Sequence, residues 1–201
     1  MDLISSAEDK EFRERARDWL NETAPRERRP HHGEAMREYD KNWQKVQFDE
    51  GWAGVSWPVE YGGLGLGLSH QLIWYEEYAR AFAPDNHLCF VGLNHAGPTI
   101  TAHGDEAQKS AHLKHILTGE KIWCQGFSEP SAGSDLAGLT TRAEIDGDEL
   151  VITGTKTWTS HGHLADMQEL LVRTDPDAPK HKGISWVIFD MKTSGLEMQP
   201  I

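Results

Sequence analysis

The chain has 201 residues, 38% hydrophobic and 26% charged, and its 32 acidic against 20 basic side chains give a formal net charge of −12. That length is enough for one domain or two small ones with a buried core, and the composition is that of a folded protein rather than a disordered one. The acidic balance excludes nucleic acid as a partner, because neutralising phosphates takes clustered Lys and Arg. It leaves room for a phosphorylated cofactor held by local N–H groups and hydroxyls. Cys89 and Cys124 stand far apart and in no CxxC spacing, which speaks against a disulfide framework or a zinc site and for two reduced, buried thiols. The acidic start, Met1 to Lys10, has neither the apolar core of a signal peptide nor the Arg-rich character of a transit peptide. With no apolar run of membrane-spanning length, the expected location is cytoplasmic, with no membrane span. Eight tryptophans are a high count, and part of that set is expected to pack against a partner.

Up to about Gly119 the pattern is helical. Ser5 with Glu8 fits a capping box, and Phe12, Ala16, Trp19 and Leu20 then share one helical face. The segment from Pro25 to Gly33 is a charged break, after which Met36, Tyr39, Trp43 and Val46 make the next apolar stripe. A long turn runs from Gly51 to Gly67. Leu72, Ile73, Tyr75, Glu76 and Ala79 suggest a third helix from near Ser69, and a fourth extends from about Asn86 through Gly97 and Pro98. Asp105 with Gln108 opens a fifth, with Leu113, Ile116 and Leu117 on its buried side.

From Lys121 the pattern changes to strands. Thr140 to Ile145 and Glu149 to Thr153 are joined by Asp146-Gly147, a hairpin signal for a type I′ turn. Gln168 to Arg173 and Ile184 to Met191 are further strands around a Pro- and Lys-rich loop, Thr174 to Gly183. Helices followed by strands imply an α+β chain: an all-α domain over 1–119, then a β domain over 120–201.

Three constellations bear on chemistry. In the first, the apolar stretch ending in Gln125 breaks into Phe127-Ser128-Glu129-Pro130-Ser131-Ala132-Gly133-Ser134-Asp135, and Gly154-Thr155-Lys156-Thr157-Trp158-Thr159-Ser160 follows one hairpin later. Small hydroxylated residues and glycine bring backbone N–H groups against a flat, polar ligand, although each turn alone also fits an ordinary loop. The second is the glycine-rich run from Gly62 to Gly67. It has the wrong spacing for a dinucleotide fingerprint and no strand before it, so it reads as a turn near a pocket. The third is histidine. His112 with His115, spaced i, i+3 on a predicted helix, lack a third convergent ligand and read as solvated rather than metal-bound. Ser128 lacks a nucleophile elbow, which removes hydrolase chemistry.

Leu117 to Trp123, Ser128 to Asp135 and Gly154 to Trp158 together resemble the acyl-CoA dehydrogenase signature. The upstream Gly51-Trp52-Ala53-Gly54, Ser56-Trp57-Pro58 and Glu60-Tyr61-Gly62-Gly63 resemble that family's N-terminal helical domain in the same order. The resemblance implies FAD as cofactor. Gln125, Phe127 and Ser128 would face the isoalloxazine ring, and Ser134 would lie where the flavin diphosphate meets acyl-CoA. Trp158 would cover one ring face, with Thr159 and Ser160 near N5. Glu129 is read as a structural member of the motif. The implied activity is α,β-desaturation of an acyl-CoA thioester, with electrons leaving to an electron-transfer flavoprotein and a homo- or hetero-oligomeric assembly. The resemblance places the family's base in a C-terminal helical bundle. Since the chain stops at Ile201, inside an antiparallel, barrel-like middle domain, no catalytic residue carries over. The expectation is therefore an N-terminal fragment, a subunit completed by a partner, or a non-catalytic remnant that binds flavin weakly or not at all. A relative of different chemistry, such as a flavin monooxygenase, is a further alternative.

Overall fold

The computed structural model describes residues 6–199, which divide after Glu120 into a helical unit and a sheet unit. In the helical unit, α1 (Ala7–Thr23) opens on a capping box. The Ser6 hydroxyl accepts from the Asp9 N–H at 3.0 Å, and the Asp9 carboxylate accepts from the Ser6 N–H at 2.9 Å. The expected pairing of Ser5 with Glu8 falls partly outside the described residues, and the box that forms uses the next pair along. Phe12, Ala16 and Leu20 are buried at the predicted spacing. Trp19, half-buried beside them, stacks on Trp43 and Trp52, and Trp52 stacks on Trp74 at 5.1 Å. Four of the eight tryptophans thus form the core of this unit, and each aromatic pair adds about 1 kcal/mol beyond the area that it buries.

α2 (Gly33–Asp49) buries Met36 and Trp43, and with them Asp40, Gln44 and Gln47. These polar groups are satisfied, as buried ones must be. Asp40 receives both guanidinium arms of Arg29 at 2.6 Å and the Leu88 N–H at 3.1 Å. Gln44 donates to the Leu117 carbonyl at 2.7 Å and accepts from Asn86. α3 (Leu68–Arg80) buries Ile73, Trp74 and Glu77. Leu72 and Tyr75, expected in its stripe, are each 62% exposed; the face against α1 is instead the one that carries Glu77. Its carboxylate takes Arg13 at 2.7 Å and Arg17 at 2.8 and 3.0 Å. The Arg17 bonds outweigh burial and, with Arg13, hold Glu77 down at about 2. Glu77→Gln is expected to cost about 3 kcal/mol, the low end for breaking a buried pair because both arginines still reach water. The urea midpoint at neutral pH measures it.

The fourth helical segment is continuous but changes pitch. A 3₁₀ turn (His87–Cys89) leads into a π turn (Gly92–Ala96) and then α4 (Gly97–His103). The cause lies in Trp57, whose indole N–H takes the Leu93 carbonyl at 2.9 Å. Its ring packs so close to Gly97 that a Cβ there would sit 2.2 Å from it. The Gly97 N–H then reaches back to Gly92, the five-residue step of a π bulge. α5 (Glu106–Leu117) opens on the predicted Asp105–Gln108 capping box and buries Leu113, Ile116 and Leu117.

The sheet unit has five strands: β1 (Trp123–Gly126), β2 (Arg142–Asp146), β3 (Glu149–Thr153), β4 (Met167–Arg173) and β5 (Ile184–Asp190). β4 is central. β5 runs antiparallel along its whole length, while β1 pairs parallel with residues 167–170 and β2 meets it at Arg142 opposite Arg173. A helical domain followed by a sheet domain is as expected. The open sheet is mixed rather than purely antiparallel, because the long excursion between β1 and β4 allows a crossover that a hairpin does not. Ala143, Leu170 and Val172 form one buried cluster of the unit, and Trp123, Cys124 and Leu139 are buried as well. The β2–β3 hairpin pairs Asp146 with Glu149, so its central residues are Gly147 and Asp148. Only Gly147 has positive φ, +63°. That is the pattern of a type II′ turn with glycine first, and it replaces the expected type I′ turn centred on Asp146-Gly147.

Candidate functional site

The two signature segments meet in space through one buried carboxylate. Glu129, 4% exposed, accepts from the Thr140 N–H at 2.7 Å, the Thr140 hydroxyl at 2.8 Å and the Thr141 N–H at 2.8 Å. Lys156 donates to Glu129 at 2.9 Å and to the Phe127 carbonyl at 3.1 Å. Thr157 closes the junction by donating its N–H to the Ser128 carbonyl at 2.9 Å. Burial alone would raise the Glu129 pKa, but the donors of the Thr140–Thr141 segment and Lys156 override it and bring the group to about 2. For Lys156 the balance is reversed: burial lowers its pKa more than Glu129 raises it. Gly154 keeps the second segment close, since a Cβ there would lie 2.3 Å from the Thr141 hydroxyl oxygen.

This clip presents Trp158, the one tryptophan that is mostly exposed among the described residues, at 75%. Its φ is +58°, the left-handed region that a bulky residue occupies only under constraint. Thr159 and Ser160 follow in a tight turn, with the Ser160 N–H on the Trp158 carbonyl and the Gly162 N–H on the Thr159 carbonyl. Phe127 and Ser128 are therefore brought against the strand end that leads to Trp158, Thr159 and Ser160. Gln125 behaves differently. Its amide donates along the sheet to Glu169 at 2.7 Å, and Trp186 donates to the other oxygen of that carboxylate at 3.1 Å. Ser134 is exposed on a separate turn before a 3₁₀ segment, Leu136–Gly138, and its neighbour Asp135 pairs with Lys180.

The residue that reading the sequence missed is Lys156, a cation placed among threonines at a strand end where only a buried acid makes sense of it. Elsewhere, His115 contacts Glu120 at 2.6 Å and burial lowers the His112 pKa. No group of metal-ligating side chains occurs among the described residues. Burial pushes both Cys89 and Cys124 up to about 12, so both are unreactive thiols at neutral pH. A cavity of about 290 Å³ lies in the helical unit, lined by Phe12, Trp52, Leu64, Leu66 and His70 among others. None of the seven predicted cofactor residues lines it. No described helix is long and apolar enough to cross a membrane.

A helical unit is followed by a sheet unit whose two signature turns are clipped together, and comparison with known proteins gives this arrangement its class. The N-terminal domain of acyl-CoA dehydrogenases matches residues 6–120 and their middle domain matches residues 124–201. The chain belongs to the acyl-CoA dehydrogenase family. It is 39% identical to acyl-CoA dehydrogenase IpdE1 of Mycobacterium tuberculosis over 95% of this chain and 51% of that protein. It is 47% identical to FadE29 of the same organism over 76% of this chain and 38% of that one. Among solved structures, the Tcur3481-Tcur3483 steroid ACAD superposes with a TM-score of 0.85 at 42% identity, over all of this chain and 52% of that chain. The ChsE4-ChsE5 complex of M. tuberculosis gives 0.81 at 38% identity, over 96% and 49%. The chain thus spans about half the length of these relatives.

Proposed function

We propose that the chain supplies the flavin-holding part of an enzyme that desaturates an acyl-CoA thioester between Cα and Cβ. The observation that carries this reading is the exposed Trp158, held in left-handed backbone and clipped to the Ser128 turn. An exposed indole on a turn that carries Thr159 and Ser160 and is tied through Thr157 to Ser128 suits a flat ring with a polar edge, so the donor set fits FAD. When bound, FAD supplies the hydride acceptor of the reaction. The chain's own part is to hold it. Phe127 and Ser128 flank the ring, Trp158 covers a face, and Thr159 and Ser160 donate to its polar edge. Gln125, already fixed to Glu169, contributes through its backbone, and Ser134 binds where the cofactor diphosphate meets the substrate. The fold of this chain is compatible with a cytoplasmic enzyme that passes electrons to an electron-transfer flavoprotein.

Two of the similar structures are assemblies of two different chains, and one of them is described as a steroid ACAD. That supports a hetero-oligomer in which a partner chain brings the catalytic base, and a bulky, ring-bearing acyl group as substrate. The test is the visible spectrum of the 201-residue chain with FAD and acyl-CoA thioesters, alone and with candidate partner chains. Flavin bound here and bleached by a thioester only with a partner present is the expected result. Bleaching by the chain alone would place a base within these residues, and no flavin binding in any combination would overturn the proposal.

A further inference from the structure

The Ser134 turn has no strand or α-helix of its own to fix it, only the 3₁₀ segment Leu136–Gly138 that follows, and its far side is bound to the end of the central strand. Arg173 closes β4 with its backbone N–H on the Thr141 carbonyl at 2.6 Å, which makes its position as rigid as the sheet. From there the guanidinium spreads over three carbonyls. One arm donates to Ala137 at 2.7 Å and Leu139 at 3.3 Å, just past Ser134, and the other to Lys180 at 3.0 Å, in the loop from 174 to 183. That loop is itself ordered: the Thr174 N–H returns to the Gly183 carbonyl, and the Asp175 carboxylate accepts from the Asp177 and Ala178 N–H groups. Lys180 then reaches across to Asp135, the residue after Ser134. The turn is thereby gripped on both sides of Ala137, by Arg173 from beneath and by Lys180 at its exposed edge.

We propose that Arg173 is the positioning residue of the Ser134 turn, bracing it from the end of β4 so that Ser134 meets the phosphate-bearing end of the flavin cofactor in one fixed place. This inference rests on the reading of Ser134 given above. Only arginine does this: a planar fork of five donors reaches carbonyls in different directions, whereas an ammonium at the same place is a single point. Lys180 and Asp135 are the outer half of the brace and carry less, because their pair is open to water.

Arg173→Lys keeps the charge and removes the fork. In the 201-residue chain, amide exchange over residues 133–140 is expected to speed up about tenfold while β4 and β5 keep their protection. The affinity for FAD is expected to fall about tenfold with that for riboflavin unchanged, since riboflavin lacks the phosphates. Asp135→Asn leaves the Arg173 fork intact and should move both readouts the same way by about threefold, so it carries the test if the lysine variant does not fold. Unchanged exchange in the folded variants overturns the brace, whatever the flavin result. Faster exchange with FAD and riboflavin weakened alike overturns the phosphate-end role. A wild-type chain that binds neither flavin, alone or with candidate partner chains, overturns the reading of the site and this inference with it.

Discussion

Glu129→Gln is expected to destabilise the sheet unit by about 3 kcal/mol at neutral pH and to loosen both signature turns together. The size follows from the shift of the carboxyl from 4.5 to about 2, at about 1.4 kcal/mol per unit. The variant also leaves Lys156, whose side chain is 9% exposed, without its anion, and a buried charge that loses its partner is the costly case. A glutamine amide keeps one acceptor oxygen and turns its NH2 either towards the Thr140 N–H or towards the Thr141 N–H and Lys156, all of which point at an acceptor in the wild type. Adding Lys156→Met should recover a large part of the loss, because the pair is replaced rather than broken. The pH dependence has a definite sign. A depressed carboxyl stabilises the fold fully above its unfolded value near 4.5 and loses that contribution as pH falls towards about 2. Urea midpoints between pH 2.5 and 7 should therefore fall steeply in acid for the wild type and more shallowly for the glutamine variant. Equal slopes would mean that Glu129 is not the group that titrates.

What the sequence disclosed and what it hid divide along the line between local and long-range physics. The α1 stripe of Phe12, Ala16 and Leu20 and the Asp105–Gln108 cap of α5 are set by spacings within one or two turns, and the fold has both. In α3 two apolar faces compete, one with Ile73 and Trp74 and one with Leu72 and Tyr75. The choice is made by Glu77 pairing with Arg13 and Arg17, some sixty residues away in sequence, so periodicity alone picked side chains from both faces. Buried Asp40, Gln44 and Gln47 sit in a helix whose apolar stripe gave no hint that polar neighbours go inside with it. The parallel pairing of β1 with β4 likewise depends on a partner more than forty residues downstream. For the site, the two turns were visible as motifs, but their meeting through Glu129, Lys156 and Thr157 is a tertiary fact. No propensity would put a tryptophan in the left-handed region.

That tryptophan separates stability from binding. Trp158→Gly is expected to leave the chain as stable as the wild type or about 1 kcal/mol more stable, because relief of left-handed strain, about 1–2 kcal/mol, exceeds the entropic cost of glycine. Little packing is lost, since the ring is 75% exposed. Trp158→Ala removes the same ring but keeps a Cβ at φ +58°, so it should gain nothing and fall below the glycine variant by about 1 kcal/mol. Both variants should bind FAD about 10- to 100-fold more weakly, the usual worth of stacking a flat heterocycle on an aromatic face. Urea midpoints and flavin fluorescence titrations on the two variants decide the matter. Strain of this kind persists only where the surroundings over-determine it. Here the Thr157 bond to Ser128 fixes one side of Trp158, and the Ser160 and Gly162 bonds fix the other. If glycine and alanine destabilise equally, the left-handed conformation is unstrained, and the exposed ring loses its claim to have been placed for a ligand. If glycine alone recovers stability while both lose flavin, the conformation is maintained against its own cost by what the ring binds.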